Sequence, residues 1–233
     1  MARERRFSAY HPGPAAPAVV ISLSNCVLPP APDIMTAVHT LYLASASPRR
    51  KKILNQLGLM TARIRADIDE SRHYGESPRE YVVRLAREKA AAGWAVVEAE
   101  GLPARPLLAA DTTVALGDEI FGKPADADEA RRMLRRLSGT VHEVFTSVAV
   151  RLGGRVEVAT SVSKVTFSVL TDRQIDAYVA SGEPMDKAGA YGIQGRAGLF
   201  VAYLEGSYSG VMGLPVHETG RLLATFGIDV LAA

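Results

Sequence analysis

Four basic residues in a row, Arg49, Arg50, Lys51 and Lys52, follow the segment Ser45-Ala46-Ser47-Pro48. A short apolar run, Leu41 to Ala44, comes just before. The pattern is that of a strand turning into a helix, with Ser47 as its cap and Pro48 as its first residue. The first turn of a helix carries unpaired N–H groups and the positive end of the dipole, which together suit a phosphate. Ser45 and Ser47 add hydroxyl donors. Arg49 and Arg50 add planar forks that hold phosphate oxygens in pairs. A capped helix with solvated arginines would use the same residues. Yet cations at this end oppose the dipole by about 0.3–1 kcal/mol each, so the run is costly unless an anion arrives.

Three carboxylates, Asp67, Asp69 and Glu70, follow a second strand-like segment. Such a group could hold Mg²⁺ or Mn²⁺ through oxygen, or form a solvated acidic loop. Asp111 is more pointed, because it interrupts the apolar run Leu107 to Leu116. A carboxylate there is costly to bury unless it is paired. It could bind metal or take a proton from water, and a metal that acidifies the water would help it do so. Lys89, on a helix, and Lys123, in the tight Phe121-Gly122-Lys123-Pro124 turn, are candidates for neutralising phosphate charge. From Glu183 to Gly195 the chain is dense in glycine and polar residues. There the Gln194 amide could read a base edge with one donor and one acceptor, and Tyr191 could stack on a base or pack in the core. His39, His73, His142 and His217 lack zinc spacing.

These groups need elements to aim them. Ile53, Leu54 and Leu57 give the first helix an apolar face, closed by Gly58. Ala62, Ile64, Ala66 and Ile68 alternate with polar residues, which predicts a half-buried strand. Ser77-Pro78-Arg79-Glu80 predicts a second capped helix, running through Lys89 towards Trp94. A strand over 107–116 ends in a Gly117-Asp118 hairpin turn. Ala130, Met133, Leu134 and Leu137 mark a third helix. Strand runs 141–151 and 156–170 flank Gly153-Gly154, and Thr171 with Gln174 caps a fourth helix. A strand near 199–204 and a helix from about Pro215 complete the pattern. This order predicts an α/β fold, and its hairpins require a mixed central sheet flanked by helices.

Taken in order, these segments resemble the Maf family of nucleoside triphosphate pyrophosphatases. The resemblance spans roughly Leu41 to Phe226. It rests on Ser45 to Arg50, Ala86-Arg87-Glu88-Lys89-Ala90, Asp111-Thr112-Thr113-Val114, Gly122-Lys123-Pro124, Leu137-Ser138-Gly139, the Glu183 to Gly195 block and Gly213-Leu214-Pro215. It implies two lobes around an active-site cleft, an ITPase-like arrangement. It also implies hydrolysis between the α and β phosphates to a monophosphate and pyrophosphate, with a divalent metal cation, Mg or Mn. Under it, Asp111 is the proton acceptor, and Glu70, Lys89 and Lys123 are further catalytic residues. Glu70 and Asp111 become the metal ligands. Ser45, Ser47, Arg49, Arg50, Thr112 and Gln194 become substrate-binding positions. A glutamine at 194 resembles the dTTP/UTP branch, whereas the 7-methyl-GTP branch tends to carry glutamate. A thymine or uracil edge offers carbonyl acceptors around an N3–H donor, and an amide answers both. Ala110 and Met185 depart from the family's common glycine and aromatic residue. A 7-methyl-GTP-type pyrophosphatase, or a nucleotide-binding regulator of cell division without catalysis, is the alternative reading.

The 233 residues carry a formal net charge of +2, which argues against a dedicated nucleic-acid binder. No segment reads as a membrane span. One cysteine, Cys26, excludes an intramolecular disulfide and suits the cytoplasm. Residues 1–38 are expected to be a poorly ordered extension and 39–233 the catalytic domain, with Met35 as a candidate start. A nucleotide substrate is the expected partner, and a homodimer is open.

Overall fold

The computed structural model describes residues 40–231. The expectations about residues 1–38, with Cys26 and Met35, and about His39 lie outside the described residues.

Strands β1 (Thr40–Ala44), β2 (Met60–Arg63), β3 (Leu107–Leu116), β4 (Glu119–Phe121), β5 (Val141–Leu152), β6 (Arg155–Phe167) and β7 (Val201–Glu205) form one mixed sheet. Its order is β2-β1-β3-β5-β6-β7, with β4 paired to β3. The β2-β1-β3 part is parallel and every other pairing antiparallel. The helices are α1 (Pro48–Gln56), α2 (Pro78–Ala99), α3 (Ala127–Leu137), α4 (Asp172–Ala180), α5 (Tyr208–Val211) and α6 (Val216–Thr225). Among the described residues, no helix is long and apolar enough to cross a membrane.

The sequence pattern extends the second strand over 62–68, but β2 stops at Arg63. The reason lies in its neighbour. Among the described residues β2 is an edge strand whose only partner, β1, matches it from Thr40 to Leu43 and then turns away into α1. Ile64 keeps one bond, its N–H to the Leu43 carbonyl. Beyond it the alternating residues have no ladder to join, and the chain leaves the sheet.

Side chains alternate across the strands, so the sheet has a core on each face. Leu41, Leu43, Leu108, Ala110, Val148 and Val150 pack with Ile53 and Leu54 of α1 and Leu222 and Leu223 of α6. On the opposite face Tyr42, Ala44, Leu107, Ala109 and Ala149 pack with Ala86, Ala90, Trp94 and Val97 of α2. Further along, Val114, Val144, Val165 and Phe167 pack with α3 and α4. Between these cores runs a belt of buried polar residues: Asp111 and Thr113 on β3, Thr146 and Ser147 on β5, Ser161 and Ser163 on β6. The belt marks the boundary between two lobes that share their strands.

Candidate active site

The belt meets solvent at a gap in the sheet. β1 pairs β3 only as far as Ala44 opposite Ala109, and β4 pairs β3 only from Val114. Neither strand covers Ala110 to Thr113, so both faces of β3 are reachable from one side. Adjacent strand residues point to opposite faces. Asp111 therefore turns towards α2 and Thr112 towards α1, and the gap lets both line the same space. The site lies at the carboxyl ends of the parallel strands, where open α/β sheets place ligands. Ser45, Ser47, Arg49, Arg50, Glu70, Lys89, Asp111, Thr112, Lys123 and Gln194 all line this one cleft, of about 520 Å³.

Lys89 and Asp111 meet because α2 lies very close to the sheet. Gly93, one turn after Lys89, is buried, and a Cβ there would stand 2.9 Å from the Ala44 Cβ and 3.0 Å from Leu107. Glycine permits that approach. Lys89 Nζ is then 2.7 Å from Asp111 Oδ1 and 2.8 Å from Glu70 Oε1. The buried carboxylate anticipated from sequence is thus paired, and one ammonium orients two acidic groups.

Glu70 comes from a loop tied back to α2. Its carbonyl accepts from the Tyr81 hydroxyl at 2.9 Å. Burial, with the charges of Asp111 and Glu70, pushes the Tyr81 phenol up to about 12. Arg84 grips Glu76 at 2.6 and 2.8 Å and the Ser71 carbonyl at 2.9 Å. The Arg84 bonds hold the Glu76 carboxyl down at about 2. The three acidic residues of this loop separate. Glu70 and Asp67 line the cleft, while Asp69 accepts from the Ser71 N–H and hydroxyl in a local turn. Among the described residues, no set of three or more His, Cys, Asp or Glu side chains is placed to hold a metal ion by itself. Glu70 and Asp111 as a pair still suit Mg²⁺, which typically takes one or two carboxylates and completes its shell with substrate phosphates and water.

The two arginines divide. Arg50 is built in: Nε donates to the Gly213 carbonyl at 2.8 Å, and its terminal nitrogens donate to Ser45 Oγ and Thr112 Oγ1 at 3.0 Å each. Burial lowers its pKa, partly offset by Asp111. Three of its five N–H donors are used, which leaves two for a ligand. Thr112 Oγ1 is in turn 3.0 Å from Thr146 Oγ1, which lies 2.8 Å from the Gly210 carbonyl. Arg49 instead bridges to Asp186 at 3.0 Å, near the mouth. Lys51 and Lys52 are exposed and do not line the cleft. Ser47 caps α1 by position, but its side chain makes no capping bond.

The opposite wall is the segment from 183 to 195. Lys187 Nζ donates to the Glu183 carbonyl and to Asp186 Oδ1, at 2.5 and 2.6 Å. Burial alone would raise the Asp186 carboxyl, but the bonds from Lys187 and Arg49 together hold it below its usual range. Ala190 has φ +57, a left-handed conformation that strains a residue with a Cβ. Tyr191 is buried and its hydroxyl is 2.9 Å from His142 Nε2, so it packs more than it stacks. Burial lowers His142 to about 4. Gln194 is exposed within the cleft, and Lys123, also exposed, has no ion pair among the described residues. His73 and His217 are exposed, outside the cleft.

Thr146, Asp186 and Lys187 were not singled out by type and spacing. Thr146 had a signal, since Thr146-Ser147 interrupts the apolar run of β5 as Asp111 to Thr113 interrupts β3. Only the register, Thr112 opposite Thr146, joins the two.

Comparison with known proteins adds an independent line. Residues 40–226 match the family model described as Maf-like protein. The dTTP/UTP pyrophosphatase of Chromobacterium violaceum is 65% identical over 190 residues, covering 82% of this chain and 96% of that protein. The proteins of the same name from Dechloromonas aromatica and Ralstonia nicotianae are each 54% identical, over 82% of this chain and 99% and 95% of theirs. Among solved structures, the Staphylococcus aureus Ham1 protein aligns over 55% of this chain and 71% of its own, with a TM-score of 0.41 and 11% identity.

Proposed function

This chain belongs to the Maf family, and we propose that its cleft hydrolyses dTTP and UTP between the α and β phosphates. The observation that carries the reading is the meeting of two unlike walls across the sheet gap. One is a cationic helix end without a side-chain cap. The other is a carboxylate held by a lysine, Asp111 on Lys89 at 2.7 Å. The names of the relatives, dTTP/UTP pyrophosphatase at up to 65% identity, support the same substrates.

The triphosphate lies along the start of α1. It takes the N–H groups of that turn, the Ser47 hydroxyl, the two remaining donors of Arg50, and Arg49 once Asp186 releases it. Lys123 answers charge on the leaving pyrophosphate. Water attacks the α–β anhydride, the bridging P–O bond breaks, and Asp111 accepts the proton. Lys89 holds Asp111 and Glu70 in place for that step. A divalent cation, held by Glu70, Asp111 and the phosphates, would polarise the phosphoryl oxygens and acidify the water. Gln194 meets the pyrimidine edge with its donor and acceptor. Such a reaction belongs in the cytoplasm, where its substrates are.

The test is Asp111→Asn, which keeps size while removing the base. Loss of a general base typically costs about 10²–10⁴ in rate, so pyrophosphate release from UTP with Mg²⁺ should fall in that range while circular dichroism shows the fold retained. Near-normal release would refute the role. A substrate panel in which 7-methyl-GTP gave the highest kcat/KM would refute the base preference.

A further inference from the structure

Gln194 sits in a turn that is held from behind. The Gly195 N–H bonds the Gly192 carbonyl at 2.9 Å, closing residues 192–195. Ile193 is buried, 7% exposed, in the apolar core beside α3 and α4. The next residue, Gln194, is exposed and lines the cleft.

The two backbone donors flanking this turn go to one buttress. The Gly192 N–H donates to the Tyr178 hydroxyl at 3.2 Å. That hydroxyl donates to Glu183 Oε1 at 3.0 Å. Glu183 Oε2 accepts from the Arg196 N–H at 3.2 Å. The fit is close, because a Cβ on Gly195 would stand only 2.2 Å from Glu183 Oε1. Lys187 Nζ holds the Glu183 backbone carbonyl, so the main chain that carries the carboxylate is itself anchored. Tyr178 is buried, and burial drives its phenol pKa far above the usual value. The phenol therefore stays protonated and always has a hydrogen for Glu183.

We propose that Glu183 is a positioning residue for substrate choice: with the Tyr178 hydroxyl it fixes the backbone on both sides of Gln194, so that the amide meets a pyrimidine edge in one orientation. The inference rests on the reading of Gln194 given above. A loop ordered before binding leaves less freedom to be lost when the base arrives. An amide whose backbone can rotate offers its donor and acceptor in several directions and discriminates less. Neither Glu183 nor Tyr178 lines the cleft, so both act through the turn.

Steady-state kinetics of the full chain with UTP and GTP, in Mg²⁺, separate the possibilities. Glu183→Ala removes a charge-assisted bond, an effect of about tenfold. The UTP-over-GTP ratio of kcat/KM should fall by that factor, mainly through KM for UTP. Tyr178→Phe keeps the buried ring and loses only the hydroxyl, and a fall of about threefold is expected from one neutral hydrogen bond. Glu183→Gln, which keeps an oxygen for the Arg196 N–H, should recover most of the ratio. Gln194→Ala is the control for the reading itself and should collapse the ratio at least as far. If Gln194→Ala lowers the ratio while Glu183→Ala and Tyr178→Phe leave it unchanged, or reduce both nucleotides equally, the inference is wrong. If Gln194→Ala also leaves the ratio unchanged, the base-reading role falls first and the inference with it. Should Glu183→Ala fail to fold, Tyr178→Phe decides alone.

Discussion

Two helices in this chain begin with the same three residues. α1 begins at Ser47-Pro48-Arg49 and α2 at Ser77-Pro78-Arg79. Their fourth residues differ, Arg50 against Glu80, and so does everything after that. At α2 the end is closed from within: Ser77 accepts from the Glu80 N–H, and the Glu80 carboxylate accepts from the Ser77 N–H at 2.9 Å. At α1 there is no side-chain cap and no acidic residue in the first turn. Ser45, which could have served α1, instead accepts from Arg50 and from the Ser47 N–H. One helix spends its polar groups on itself and gains stability. The other leaves its donors facing the cleft.

The largest expected effect comes from making the first end resemble the second. Arg50→Glu places a carboxylate where phosphate binds and breaks the ties to Ser45, Thr112 and Gly213. We expect kcat/KM for UTP to fall by more than about a hundredfold, because two charge-assisted bonds to phosphate, each about 1.5–3 kcal/mol, are replaced by repulsion between like charges. Inorganic tripolyphosphate should raise the wild-type Tm by mass action and fail to raise that of the variant. A variant with wild-type kcat/KM would remove the distinction between the helix ends.

Next is the network just before α2. Its Glu76 carboxyl is held at about 2, against an ordinary 4.5. The folded state binds this proton less readily than the unfolded chain, so the stabilisation is present above pH 4.5 and is lost as pH falls towards 2. Glu76→Gln should lower Tm by about 4 °C at pH 7, given ~2–4 °C per kcal/mol for a chain this size. The gap to wild type should close on acidification, and a gap that is constant with pH would show that the Arg84 pair contributes nothing.

Smaller still, Glu80→Ala opens the capping box at a cost of about 1 kcal/mol, seen as a Tm drop of about 3 °C with UTP kinetics intact. The smallest effect on stability is Ser47→Ala. It breaks no cap, so Tm should move by less than about 1 °C, whereas losing one hydroxyl donor to phosphate should raise KM about threefold. A Tm loss equal to that of Glu80→Ala would mean that Ser47 caps α1 after all.

Much of this was legible in the residues, because local chemistry decides it. Capping pairs, turn glycines and apolar periods mark most helix starts and strand runs, and Asp111 in an apolar strand announces a paired carboxylate. What was not legible depends on neighbours. β2 ends where β1 runs out, which no property of Ile64 or Ile68 encodes. α2 continues to Ala99, beyond the stretch its pattern suggested. The separation of Arg49 from Arg50 needs Gly213 and Asp186, more than a hundred residues away in sequence. Lys187 looks like any loop lysine until the fold half-buries it against Asp186 and the Glu183 carbonyl.

β3, β5 and β6 are 10, 12 and 13 residues long, and each passes through the polar belt without a break. The lobes are therefore halves of one beam, joined by continuous backbone ladders rather than by a linker. Folding them together would shear those ladders, so the width of the cleft is set before a nucleotide arrives. A nucleotide then meets two walls whose spacing the continuous strands already hold, and the Gln194 amide has less to do than it would across a flexible hinge.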